Sequence, residues 1–250
     1  MDDWIHILLP FMLLLARVGA FFVVLPIFGS STVPVRVRAG VALAVTLFFA
    51  HVMPYPFDVA GVHWLAAVVL TVREVLCGLA LGLAARLVFL AAQQAGQIAG
   101  RQMGFMDAGV IDPTSGERSR PLGVFVEMTF TLLFLAAGGH RLLLLLIARS
   151  YEAFPAGGPP ETAVLARAVL DAGAGMLLFA LKLAAPMLAA FLLLAIVLGV
   201  LARVLPEMNI LLASFPLRMG LGLFMAAQLV PLLGSFTEEL ADWMNRTLIP

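Results

Sequence analysis

Gln93-Gln94-Ala95-Gly96-Gln97-Ile98-Ala99-Gly100-Arg101-Gln102-Met103-Gly104 is a polar, glycine-rich run set in a chain that is otherwise oily. Gly96, Gly100 and Gly104 recur every four residues, which on a helix makes one smooth face that another backbone can approach closely. Gln93, Gln97 and Arg101 repeat at the same interval one position along, so a polar stripe lies beside the glycines. The spacing predicts a helix that packs by its glycine face and meets water or a polar partner by its stripe. Gly78 and Gly82 show the same interval upstream, and with Gly96 and Gly100 they are expected to serve helix packing and the subunit interface.

Around this run, composition sets the class. Of 250 residues, 62% are apolar and only 12% charged, with a formal net charge of zero and a mean hydropathy of +1.06. An ordinary soluble domain carries about 25% charged residues, so the chain reads as an integral membrane protein of all-α class. No basic block or aromatic-plus-arginine pattern suggests nucleic acid. The single cysteine, Cys77, excludes an internal disulfide and a cysteine metal site. Met1-Asp2-Asp3-Trp4 lacks the positive start of a secretory signal, so the first apolar segment is expected to stay in the mature protein.

A spanning helix needs about 20 apolar residues, and six segments qualify: 5–28, 37–54, 64–90, 122–147, 172–203 and 210–237. The expected breaks are Gly29-Ser30-Ser31 with Pro34, Pro54-Tyr55-Pro56, residues 101–121, Pro155 to Pro160, and Pro206 to Asn209. Pro26, Pro186, Pro216 and Pro231 inside apolar segments predict bent helices. Arg36, Arg38, Arg101, Arg118, Arg120 and Arg203 fall on one side of this topology and Arg149, Arg167 and Arg246 on the other, a bias that puts both termini outside.

Segment 64–90 is a poor lipid-facing helix. Its Leu, Val and Phe residues gain about 4 to 8 kcal/mol on insertion, and Arg73 with Glu74 near its centre costs roughly 5 to 7. Adjacent residues point about 100° apart, so Arg73 and Glu74 each need a separate partner. The helix is expected to sit inside protein.

Catalysis fails on inventory: His6, His51, His63 and His140 are scattered, with no metal spacing and no nucleophile elbow, so the chain is read as no enzyme and without a cofactor. The intramembrane charges Arg17, Arg73, Glu74, Arg86, Glu127, Lys182 and Arg218 either line a pathway or lock helices together, and the sequence admits both. A small-solute or proton-coupled transporter is therefore the alternative reading, weakened by the absence of similar halves. Gly104-Phe105-Met106-Asp107-Ala108-Gly109-Val110-Ile111-Asp112-Pro113-Thr114 is wrong for a helix and too apolar for a solvated loop. It needs a protected place.

Five blocks, in order, carry a resemblance: Arg17-Val18-Gly19-Ala20-Phe21 through Leu25-Pro26-Ile27-Phe28-Gly29 to Val33-Pro34-Val35-Arg36-Val37-Arg38; Gly96 to Gly104; Ile111-Asp112-Pro113; Gly139-His140; and Leu205-Pro206-Glu207-Met208-Asn209-Ile210 with Phe215-Pro216-Leu217-Arg218. Together they resemble the FliR/SctT family of type III secretion export-gate proteins over nearly the whole chain. The resemblance implies a bacterial inner-membrane subunit at the flagellar basal body. It implies assembly with FliP and FliQ homologues, with FlhB and FlhA nearby, into a pore for unfolded export substrates that stands largely above the bilayer. It implies a FliP-like part, 1–170, fused to a FliQ-like helical hairpin, 171–250. It also implies that residues 104–121 form a plug centred on Val110, Ile111, Asp112 and Pro113, with Gly104, Phe105, Met106 and Gly109 alongside. Gly116-Glu117-Arg118-Ser119-Arg120 is more charged than the family pattern, and the Pro206-Glu207-Met208-Asn209 block leans to the flagellar branch over the injectisome.

Overall fold

The computed structural model describes residues 3–26, 33–52, 63–104, 121–156, 162–205 and 210–247, and every described element is an α-helix. In chain order they are α1 (Asp3–Val24), α2 (Val35–Val52), α3 (Trp64–Gln102), α4 (Pro121–Ala136), α5 (Gly139–Ala153), α6 (Thr162–Val204) and α7 (Ile210–Thr247). The chain is all-α, as its apolar runs without strand periodicity require.

Three helices, α3, α6 and the 38-residue α7, are longer than the hydropathy pattern predicts. α3 runs 39 residues and does not stop near residue 90, because Gln, Ala and Arg are good helix formers and carry it through the polar stripe. It ends where Gly104 turns left-handed, at φ 83°, with the Gly104 N–H donating to the Arg101 carbonyl at 3.1 Å. α6 runs 43 residues. At 1.5 Å per residue α3 and α6 both reach about 60 Å, twice the ~30 Å hydrocarbon core of a bilayer.

Segment 122–147, expected as one span, is two helices. Gly138 at φ 83° and ψ 18° cannot continue a right-handed helix, and Arg141 N–H bonds back to its carbonyl at 2.9 Å to start α5. The sequence Gly138-Gly139-His140 marks a helix break, and the structure has it there; hydropathy alone does not show it, because Gly138 and Gly139 are not polar. Among the described residues, Val35–Val52, Trp64–Gln102 and Ala163–Val204 are long and apolar enough to cross a membrane, and a fourth span results if α4 and α5 count as one broken crossing. Pro26 lies just past the end of α1 and bends nothing inside it, whereas Pro10, Pro186, Pro216 and Pro231 are inside helices. The expected breaks at residues 29–31, 54–56 and 206–209 lie outside the described residues.

The chain forms two compact units: Met1–Val88 with Gly138–Ala174 and Ala241–Pro250, and Phe89–Ala137 with Gly175–Leu240. In the first, Leu9 and Leu13 of α1 pack with Ala67 and Leu70 of α3, and later pairs advance together along both helices, so α1 and α3 run parallel. α2 packs on α1, and Phe49 of α2 meets Tyr151 of α5 with ring centres 6.2 Å apart. In the second, Phe89 of α3 stacks edge-on to Phe130 and Phe134 of α4, at 5.6 and 5.1 Å. Ala99, Met103, Met187 and Phe191 form its other core, with Leu122, Leu194, Met219, Leu221 and Met225 packed against them.

Candidate functional site

In the first unit the chemistry concentrates on Arg17, which is 1% exposed. Its Nε donates to Glu74 Oε2 at 2.6 Å, one terminal nitrogen to the Ser150 carbonyl at 3.0 Å, and the other to the Phe154 carbonyl at 2.9 Å. The guanidinium carbon sits 4.2 Å from the centre of the Tyr151 ring, and the Tyr151 hydroxyl donates to the Leu14 carbonyl at 3.3 Å. One cation therefore joins α1, α3 and the C-terminal end of α5, where the Ser150 carbonyl also accepts the Phe154 N–H, the Phe154 carbonyl lies past the helix, and the helix dipole favours positive charge. A buried carboxylate and guanidinium are tolerable only when paired and fully hydrogen-bonded, and here nearly every donor is used.

Glycines let the helices come near enough for this. A Cβ on Gly78 would overlap the Arg17 carbonyl oxygen, and one on Gly82 would lie 2.9 Å from the Phe21 oxygen. Since Gly78 and Gly82 follow Glu74 at successive turns of α3, a single seam holds the ion pair and both backbone contacts.

The polar stripe lies in the second unit. Gln93 Nε2 donates to Glu127 Oε2 at 2.7 Å, across the antiparallel α3 and α4. A Cβ on Gly96 would lie 2.8 Å from the Leu122 oxygen and 2.9 Å from Gly123 Cα, whereas Gly100 stands in ordinary contact with the Leu122 side chain at 3.6 Å. Gly96 and Gly100 thus pack against α4 of the same chain. Gly104, expected to be the third member of the helical face, has left the helix. Gln97 is 5% exposed, fits over Gly123, and its side-chain nitrogen has no hydrogen-bond partner among the described residues.

Met103 is completely buried and fills the space a side chain at Gly222 of α7 would take. Leu122, just after the next undescribed stretch, packs in the same cluster. Residues 103 and 122 thereby belong to one knot. The expected plug residues Phe105, Met106, Gly109, Val110, Ile111, Asp112 and Pro113 lie outside the described residues.

The other expected charges are placed differently. Arg73 is half-buried with its Nε unpartnered, Glu127 and Arg218 are half-buried, and Arg86 and Lys182 are exposed on this chain. Arg86 stands twelve residues after Glu74, roughly 120° round the helix from it, which turns it away from the α1 seam. Lys182 Nζ reaches 5.5 Å from the centre of the Phe179 ring. Sequence reasoning missed Ser150, Tyr151 and the Phe154 carbonyl as partners of Arg17, since backbone acceptors leave no residue signature. Gly123 and Gly222 could have been flagged as glycines inside apolar runs.

The family described as bacterial export proteins, family 1, matches residues 8–244. Flagellar biosynthetic protein FliR of Escherichia coli K12 is 34% identical over 239 residues, covering 96% of this chain and 91% of that protein. FliR of Bacillus subtilis 168 is 34% identical over 233 residues, 90% of this chain and 87% of the relative. Yop proteins translocation protein T of Yersinia pestis is 27% identical over 215 residues, 84% and 82% respectively. With a match over nearly its whole length and these identities, the chain belongs to family 1 of the bacterial export proteins.

Proposed function

We propose that this chain is a wall subunit of the flagellar type III export gate, joined to FliP and FliQ homologues around a pore for unfolded polypeptides and closed by residues 104–121. The observation that carries the reading is the knot at Met103 and Leu122. A segment that leaves and returns at one rigid point can swing across a pore while its base stays fixed, and an apolar constriction seals water most simply by drying. In this reading Gly104 is the hinge, and Val110, Ile111 and Pro113 supply the dry surface beside Asp112.

The need for partners has a second support. The exposed apolar face of α6, from Leu177 through Leu181, Leu192, Ile196 and Val200 to Val204, spans about 40 Å. A ~30 Å hydrocarbon layer with an average tilt of ~20° does not cover it, so part of the face calls for protein. In the reading proposed here residues 171–250 play the FliQ-like part, FlhB and FlhA stand close by, and the assembly sits in the inner membrane at the basal body. The transporter alternative would run on Glu74 or Glu127; Glu74 is held by Arg17 and Glu127 accepts a hydrogen bond from Gln93, which favours a structural use of both.

Purification of the tagged chain from its native membranes in mild detergent, followed by mass spectrometry, tests this. A large complex containing FliP- and FliQ-like chains is expected. Recovery as a lone monomer or homodimer in several detergents would exclude the gate.

A further inference from the structure

Within the first unit, α2 and α5 leave an open groove of about 580 Å³ lined by Ala44, Val45, Phe48 and Phe49 on one side and Arg141, Leu144, Leu145 and Ala148 on the other. The two helices run parallel here, since the C-terminal Phe49 meets the C-terminal Tyr151. Their N-terminal ends therefore lie at the same end of the groove. Arg141 on α5 is the cation that lines the groove, and neither helix has an acidic residue in its first turn. Arg141 is exposed and forms no ion pair among the described residues.

We propose that this groove is a binding site for one anionic phospholipid of the surrounding bilayer, with an acyl chain against Phe48, Phe49, Leu144 and Leu145 and the phosphate at Arg141. An apolar trough with one exposed arginine in its lining matches the two halves of such a lipid, and basic sites between membrane helices attract anionic headgroups. A partner helix fits less well: a cylinder ~10 Å wide fills 580 Å³ in little more than one turn, and it would bury the Arg141 charge without a counter-ion. The acyl chain is thin and brings the counter-ion with it. This site is independent of the pore and of the plug.

The test uses the full chain, with whatever partners co-purify, in nanodiscs. Leu145→Trp places a reporter in the groove, and its emission is read against that of the parent, which has Trp4, Trp64 and Trp243. Brominated phosphatidylglycerol should quench the added signal about fivefold more effectively than brominated phosphatidylcholine, the preference one basic residue gives for an anionic surface. Arg141→Glu should abolish that preference and Arg141→Lys should keep it. Native mass spectrometry of the chain without the reporter should find one phosphatidylglycerol retained, and lost in Arg141→Glu, which keeps the test valid if the tryptophan variant fails to fold. Equal quenching by the two lipids would mean ordinary annular contact and overturn the proposal. Quenching by neither would mean that protein covers the groove, and would overturn it as well.

Discussion

Arg17 shows how one residue can decide the geometry of a whole unit. Its five N–H groups reach a carboxylate and two backbone carbonyls on different helices, over an aromatic ring. Removing it takes the ion-pair partner from Glu74, and breaking a buried pair costs about 3–5 kcal/mol. Arg17→Ala should therefore lower the thermal midpoint of the purified chain sharply, and the double change Arg17→Met with Glu74→Leu should recover part of the loss. A double variant no more stable than the single would mean that the carbonyl bonds, not the ion pair, matter most. The glycines allow a second comparison. Gly78→Ala and Gly96→Ala push a methyl group into a backbone and should each cost about 1–3 kcal/mol. Gly40→Ala and Gly199→Ala, inside helices with nothing within 4 Å of the new carbon, should be neutral or stabilise by up to about 1 kcal/mol in the same melting assay.

Among the elements, the break between α4 and α5 is the place where apolar count and backbone geometry disagree. A hydropathy scan joins 122–147 into one span, and Gly138 divides it by adopting a left-handed conformation. Gly138→Ala puts a Cβ in that region at a cost of roughly 1–2 kcal/mol. Spin labels on α4 and α5 should report a longer, straighter segment in this variant, or the same break with a lower melting temperature. An unchanged break at full stability would remove the glycine from the explanation. α3 makes the complementary point: the polar stripe that looked like the end of a segment is its continuation, because the Gln93 amide finds Glu127 on α4.

At the scale of the whole chain, the proposed reading makes the segment between Met103 and Leu122 the plug of the export gate. Deleting residues 109–114 should leave the complex assembled, since the anchors at Met103 and Leu122 are untouched. It should also make the membrane permeable to ions and small solutes, measurable as conductance in planar bilayers. A deletion no leakier than the parent would assign the seal elsewhere.

The sequence by itself determined the class, through an excess of apolar residues no soluble core could bury. It also carried the family resemblance, through short blocks in order, and the small residues on α3 that let helices approach, through their four-residue spacing. Each of these is written in local composition or periodicity. Only the tertiary structure decided which face met which: Gly78 against α1, Gly96 against α4, Arg17 against Glu74 and two carbonyls, and Met103 against Gly222. Those pairings join residues far apart in the chain, and several use backbone oxygen, which every residue has. No reading of side-chain identity can single it out before the helices are packed.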